Sequence, residues 1–166
     1  MKPTQQLKTL RCLAAIGLST ISLWAAAQAP APYGLSIGVE QAKKAMVAAE
    51  AEARKNNWQV VISIVDTGGH QVMLQRLEAQ NASVDIAIGK ARTAVNFRRP
   101  TKALEDSLAA NGSALRILAV PGVMPLQGGL PIIVDGKIIG GIGVSGVTAA
   151  QDEMVAKAGI DALGAK

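Results

Sequence analysis

Two rhythms of apolar residues alternate along this chain, and each change of rhythm marks a structural element. Val39, Ala42, Met46, Ala49 and Ala53 recur at three- and four-residue steps, which predicts a helix with one buried face. Ser36 is placed to cap it, Glu40–Lys44 and Glu50–Arg54 support its wet side, and Asn56-Asn57 ends it. Trp58 to Val65 is apolar and β-branched, the composition of a well-buried strand. Asp66-Thr67-Gly68-Gly69 is turn chemistry, and His70 to Leu77 completes a first hairpin.

The helical rhythm returns at Ser83, which caps a helix running to about Phe97 with Val84, Ile88, Ala91 and Val95 on its buried side. Arg98-Arg99-Pro100 breaks it, and Thr101 caps a short helix ending near Asn111-Gly112. A further helical turn is expected over Ala114 to Leu118, then a Gly- and Pro-rich loop from residue 124 to 131. Leu130 to Val134, Asp135-Gly136 and Lys137 to Val144 read as a second hairpin, because Asp-Gly tolerates the positive φ of a type I′ turn. The last helix starts at Thr148, whose spacing to Gln151 forms a capping box, and runs to about Leu163. Asp152 and Glu153 fall in its first turn, where the helix dipole favours acids. Helix, hairpin, helices, hairpin, helix predicts an α/β (α+β) domain: an antiparallel sheet of four to five strands packed by flanking helices.

The start of the chain has a different texture. Lys2, Lys8 and Arg11 precede an uncharged stretch from Cys12 to Ala27, and small residues follow at Ala25, Ala26, Ala27 and Ala29. That order is the signature of a secretory signal peptide, with a cut after Ala27. The apolar run is 16 residues long, short of the roughly 20 that span a bilayer. The expected organisation is therefore a signal peptide over 1–27, a linker over 28–34 and one domain over 35–166, periplasmic or secreted, and off the membrane after cleavage.

Cleavage changes the charge and the cysteine arithmetic. Three of the 17 basic residues leave with the signal and none of the 12 acidic ones, so the net charge falls from +5 to +2. The whole-chain basicity is thus no nucleic-acid footprint. Only Tyr33, Trp58 and Phe97 remain as aromatics, too few for base-stacking platforms. Cys12, the single cysteine, lies inside the signal. Disulfides, a thiol nucleophile and cysteine metal ligands are excluded from the mature domain.

Candidate chemistry is sparse. Gly141-Ile142-Gly143-Val144-Ser145-Gly146 matches G-x-G-x-x-G, yet a dinucleotide site needs a βαβ unit and an acid about 20 residues on. The chain ends at Lys166, and close packing of a strand explains these glycines better. His70 is the only histidine. It reads either as a surface residue or as a haem-iron ligand, metal ligand or acid/base group. Arg92, Arg98, Arg99 and Lys102 make the densest basic cluster, suited to an anion such as a carboxylic acid or haem propionates, or simply solvated at a helix end. Gln127-Gly128-Gly129-Leu130-Pro131 offers a glycine loop that a ligand could approach, or merely a loop with unusual dihedrals. Asp66 and Asp135 are most simply turn formers. No G-x-S-x-G elbow and no carboxylate pair argues for a particular hydrolysis.

Taken in order, several segments resemble one known family. Val65-Asp66-Thr67-Gly68-Gly69-His70, Lys90-Ala91-Arg92-Thr93-Ala94, Phe97-Arg98-Arg99-Pro100-Thr101, Gly128-Gly129-Leu130-Pro131-Ile132, Val134-Asp135-Gly136 and Gly140 to Gly146 with Gln151-Asp152 resemble the HbpS-like haem-binding family, also called GlcG-like. That family includes the carboxy-terminal domain of some corrinoid adenosyltransferases, and the resemblance spans roughly residues 35–164. It implies an antiparallel sheet with flanking helices, ring-like homo-oligomers (often octamers) and, for exported members, haem binding with iron storage or haem degradation. On this chain it implies a haem site drawn from His70, Phe97, Arg98, Arg99, Thr101, Lys102, Gly128 and Gly129, with His70 the leading iron ligand and Thr101 a weaker oxygen donor. Catalytic residues are not designated. The competing expectations are an enzyme acting on a small organic acid and an accessory oligomer without a ligand.

Overall fold

The computed structural model describes residues 29–164; the expected signal peptide lies outside them. Helix α1 (Val39–Lys55) leads into strands β1 (Val61–Val65) and β2 (Gln71–Arg76), followed by α2 (Ala82–Asn96) and α3 (Thr101–Ala109). A 3₁₀ segment (Gly112–Ala119) precedes β3 (Gly129–Val134), β4 (Lys137–Ser145) and α4 (Ala149–Asp161). The four strands form one antiparallel sheet in the order β2-β1-β4-β3. The hairpins β1–β2 and β3–β4 are therefore joined in the middle by β1 and β4, with Val61 opposite Ser145 and Ile64 opposite Ile142.

Helices cover both faces. Helices α1 and α4 pack on one side and α2 on the other. Every residue of β1 is consequently buried, which is why its sequence is an unbroken apolar run rather than an alternation. Alternate residues still divide between the faces. Ile62, Ile64, Ile142 and Val144 meet Ala42, Met46, Ala49 and Val155 in the main core, while Val65 joins Ala91 and Val95 beneath α2.

The two helical layers differ in spacing. On the α2 face β4 presents Gly141 and Gly143. A Cβ at Gly143 would lie 2.2 Å from the carbonyl oxygen of Ala87 and 2.5 Å from the nitrogen of Ala91, and one at Gly141 would lie 2.7 Å from the carbonyl oxygen of Ala91. The G-x-G-x-x-G stretch thus serves close helix–strand packing, as its context in the sequence suggested. The same closeness corrects the buried face of α2. Its deeply buried residues are Ser83, Ala87, Lys90, Ala91, Thr93, Ala94 and Val95, whereas Val84 and Ile88 are only half-buried. Ala91 and Val95 are buried as expected, but small side chains are needed where backbones nearly touch, so Ala87 and Ala94 lie deeper than the larger Val84 and Ile88.

Helix starts also shift. Gly38, not Ser36, is the N-cap of α1, with its amide donating to Gln41 Oε1; Ser36 instead shares a hydrogen bond with Thr67. Val39 is exposed. Asn81 and Pro100 occupy the cap positions before α2 and α3, where Ser83 and Thr101 were expected. The capping box of α4 forms as read, with the Thr148 amide donating to Gln151 Oε1 at 3.2 Å. Asp135 (φ 49°) and Gly136 (φ 71°) make the second hairpin turn, as the type I′ geometry requires. Finally, the segment expected to link signal and domain is tied to the sheet: Ile138 donates to Pro32, and Gly34 and Ile37 donate to Ile138 and Ile139. Among the described residues no helix is long and apolar enough to cross a membrane.

Candidate functional site

The turn after β1 is built by its first residue. Asp66 Oδ1 accepts from the amides of Gly68 (2.8 Å) and His70 (2.9 Å), while Gly69 takes φ 80°. The His70 amide, more than any other group, holds the Asp66 carboxyl below its ordinary range. His70 itself points out, with 83% of its side chain exposed and Nδ1 3.4 Å from Asp66. The turn is fastened to α2 by Arg92, whose Nε donates to the Gly69 carbonyl at 2.9 Å.

The basic cluster read from the sequence does not stay together. Arg92 serves the Gly69 turn. Arg98, in a left-handed conformation that ends α2 (φ 52°), lies over the Tyr33 ring at 5.8 Å. Lys102 pairs with Asp106 at 2.6 Å on the exposed side of α3, and that hydrogen bond raises its pKa. Arg92 also borders the cavity on the outer side of α2, and Arg99 faces a separate groove. This cavity of about 600 Å³ lies between the end of α2, α3 and the 3₁₀ segment, with Phe97, Leu104, Ile117 and Val120 as apolar walls and Arg99 and Arg116 as its cations. Ser107 and Ser113 add hydroxyls. Of the sequence-derived site residues, this groove collects Phe97 and Arg99.

Thr101, Gly128 and Gly129 meet elsewhere, in a solid region. Thr101 is fully buried. Its hydroxyl accepts from the Gly129 amide at 2.9 Å and donates back to the Gly129 carbonyl at 3.3 Å. A Cβ at Gly129 would lie 2.4 Å from the Lys90 carbonyl oxygen, and one at Gly128 would lie 2.8 Å from Asp152 Cβ and 3.0 Å from Lys90 Nζ. The glycines let β3 approach α2 and α4; they open no space for a ligand. Beside them sits a buried ion pair that the sequence reading missed. Lys90 Nζ donates to Asp152 Oδ2 and to the Val144 carbonyl, both at 2.8 Å, with side chains 4% and 3% exposed. Burial pushes the Asp152 carboxyl up, and Lys90 pulls it partly back. The signal was present: Lys90 occupies the same i, i+3, i+4 and i+7 stripe as Ala87, Ala91 and Ala94. A lysine in a stripe of buried alanines needs an internal partner.

Two further cavities flank the sheet. One, of about 440 Å³, runs between Arg54, Trp58, Arg76 and Glu78. Its arginines are engaged, Arg54 with Glu50 and Arg76 with the Ala79 carbonyl and Asn81. The other, of about 500 Å³, lies between the outer side of α2 and residues 121–124. Among the described residues, no group of three or more His, Cys, Asp or Glu side chains is placed to hold a metal ion.

Fold and grooves define a three-layer α+β domain whose antiparallel sheet is closed by helices on both faces and whose ligand-sized openings lie beyond α2 and α3. The chain belongs to the family described as "Haem degrading protein HbpS-like", whose model matches residues 37–161. Protein GlcG of Escherichia coli is 43% identical over 108 residues, covering 64% of this chain and 79% of that protein. Among solved structures, HbpS superposes with a TM-score of 0.72 at 34% identity, over 77% of this chain and 90% of that one. The PduOC:haem complex superposes with a TM-score of 0.73 at 29% identity, over 80% and 98%.

Proposed function

We propose that this protein binds haem in the groove between Phe97, α3 and the 3₁₀ segment. The observation that carries the reading is the lining of that groove: one apolar slot with two guanidinium groups at its rim. Its volume of about 600 Å³ lies within the roughly 300–1,000 Å³ of small-molecule sites. Family membership, and the haem held by a structural neighbour, support the choice of ligand. Phe97, Leu104, Ile117 and Val120 would wall the macrocycle, and Arg99 and Arg116 would meet its propionates bidentately. The groove fits the porphyrin and its carboxylates but contains no His, Cys, Met or Tyr side chain, so a strong axial donor has to reach it from elsewhere. His70, exposed on the Asp66–His70 turn, would be the imidazole for that role. Bound haem would supply a redox-active Lewis-acidic iron; this chain's residues bind and orient it.

The same reading includes export by residues 1–27, on the basic, apolar and small-residue order given above, and assembly into a homo-oligomer. Exposed Leu115, Leu118, Val120 and Leu126 give the assembly an apolar surface to cover.

Titration of the purified protein with haemin tests the site. A saturable Soret shift is expected, weakened about tenfold, or roughly 1.4 kcal/mol, in a combined Arg99→Gln, Arg116→Gln variant. Absence of saturation, or a variant that titrates like the parent, removes this groove as the site. His70→Ala is expected to move the position of the Soret band while leaving the dependence on Arg99 intact.

A further inference from the structure

The cavity on the outer side of α2 is separate from the haem groove and is built differently. Asp85, Ile88, Gly89, Arg92 and Asn96 follow one another at helical spacing along one of its walls, and Pro121 to Met124 form the other. The second wall is pinned in place. The Met124 amide donates to the Thr93 hydroxyl at 2.8 Å, and the Met124 side chain lies so close to Gly89 that a Cβ there would be 2.9 Å away. Gly122 makes the bend with φ 75°. Ile88, Val123 and Met124 thereby give an apolar middle.

The two ends carry opposite charge. At one end Arg92 is held by a single bond, Nε to the Gly69 carbonyl, which orients the guanidinium while leaving its two terminal nitrogens free to donate. Asn96, one turn further on, adds an amide without a side-chain partner among the described residues. At the other end the Asp85 carboxylate likewise has no ion-pair partner among the described residues. Asp85 and Arg92 are seven residues apart, or about 10 Å along the helix at 1.5 Å per residue. An orienting bond on the arginine, an unpaired carboxylate two turns away and an apolar stretch between them amount to a receptor for a molecule of matching polarity.

We propose that this cavity binds a short linear zwitterion, an ω-amino carboxylate or a peptide fragment of similar length. Its carboxylate lies against Arg92 and Asn96, its ammonium against Asp85, and its methylene chain against Ile88, Val123 and Met124. The volume of about 500 Å³ suits such a molecule. The site is independent of haem: Ser113 to Val120 line the one cavity and Pro121 to Met124 the other, and the two have no lining residue in common.

The test uses 6-aminohexanoate as probe on the haem-free full chain, followed by methyl NMR of Ile88 and Val123 and by calorimetry. Saturable shifts at those methyls are expected. Asp85→Asn and Arg92→Gln are each expected to weaken the probe at least fivefold, because each removes one charge-assisted contact. Hexanoate and hexylamine, each with one charged end, are expected to bind more weakly than the probe, and hexanoate to be insensitive to Asp85→Asn. Because Arg92→Gln also loosens the Gly69 turn, the exposed Asp85→Asn variant, with an unchanged melting temperature, carries the decision. No saturable shift at millimolar probe, or full-strength binding by Asp85→Asn, overturns the proposal. Haemin titration of Asp85→Asn is expected to match the parent, so failure of the haem reading and failure of this one are read from different experiments.

Discussion

The seam between α2 and β4 and the segment from Gly112 to Gly122, which packs on α3 and then borders α2, are built by opposite rules. In the seam, Gly141 and Gly143 bring backbone against backbone, and Lys90 and Asp152 lock α2 to α4 through a pair that is almost wholly buried. Nothing is left to bind with. In the segment, no residue of the 3₁₀ turn is buried, Leu115 and Leu118 face outward, and a cavity opens on either side. The difference teaches that a cluster of glycines and a buried charge can be entirely architectural, while the open cavities lie along a stretch that carries none of the recognisable motifs.

The sharpest way to break this contrast is to attack the seam. Asp152→Ala strands the Lys90 ammonium in the interior, and a loss of about 3–5 kcal/mol is expected in urea unfolding. The paired change Lys90→Met, Asp152→Leu should recover most of it, since an apolar pair of similar size needs no compensating charge. Gly143→Ala is expected to cost about 3 kcal/mol by overpacking, because its methyl meets the Ala87 carbonyl at 2.2 Å; a fall in melting temperature of several degrees checks it, and an unchanged melt would show that α2 can move off the sheet.

A smaller effect comes from the turn beside α2. The Asp66 carboxyl titrates below its ordinary value of 3.8 in the folded protein. Its stabilisation is therefore full above that value and lost as pH falls through the lowered folded pKa. Asp66→Asn should remove about 1 kcal/mol at neutral pH and flatten the decline of stability below pH 4, seen in urea midpoints measured across that range. The smallest effect is expected in the open segment. Leu118→Ser, at a residue 59% exposed, should change stability by no more than about 0.5 kcal/mol; a shift in sedimentation towards smaller species with stability unchanged would mark this face as a contact between copies.

Much of the architecture was legible because it is local. Both hairpins and the main helices follow from spacing and turn residues within a few positions of each other, although three of the four helix caps fall one or two residues from the expected ones. The Asp135-Gly136 turn and the Thr148–Gln151 box are cases in which neighbouring residues suffice. The candidate site was legible only in fragments. Phe97 and Arg99 do line a groove, but Arg98, Lys102, Thr101 and the Gly128-Gly129 loop, adjacent or similar in sequence, face different surroundings. The left-handed turn at Arg98 sends consecutive basic side chains apart, and close helix packing closes the glycine loop. Arg116, within the turn expected over Ala114 to Leu118 but outside the basic cluster, joined the groove unannounced.

By itself, then, the order of residues determined the alternation of elements, the two hairpins and the family, because each of these depends on near neighbours or on short motifs in order. Only the tertiary structure decided that Lys90 and Asp152, 62 residues apart, would neutralise one another, that the Gly128-Gly129 loop would be filled by its neighbours, and which of several arginines would face open space. Those outcomes depend on how two helical layers settle on a twisted sheet, a sum over contacts between distant parts of the chain that no local pattern contains.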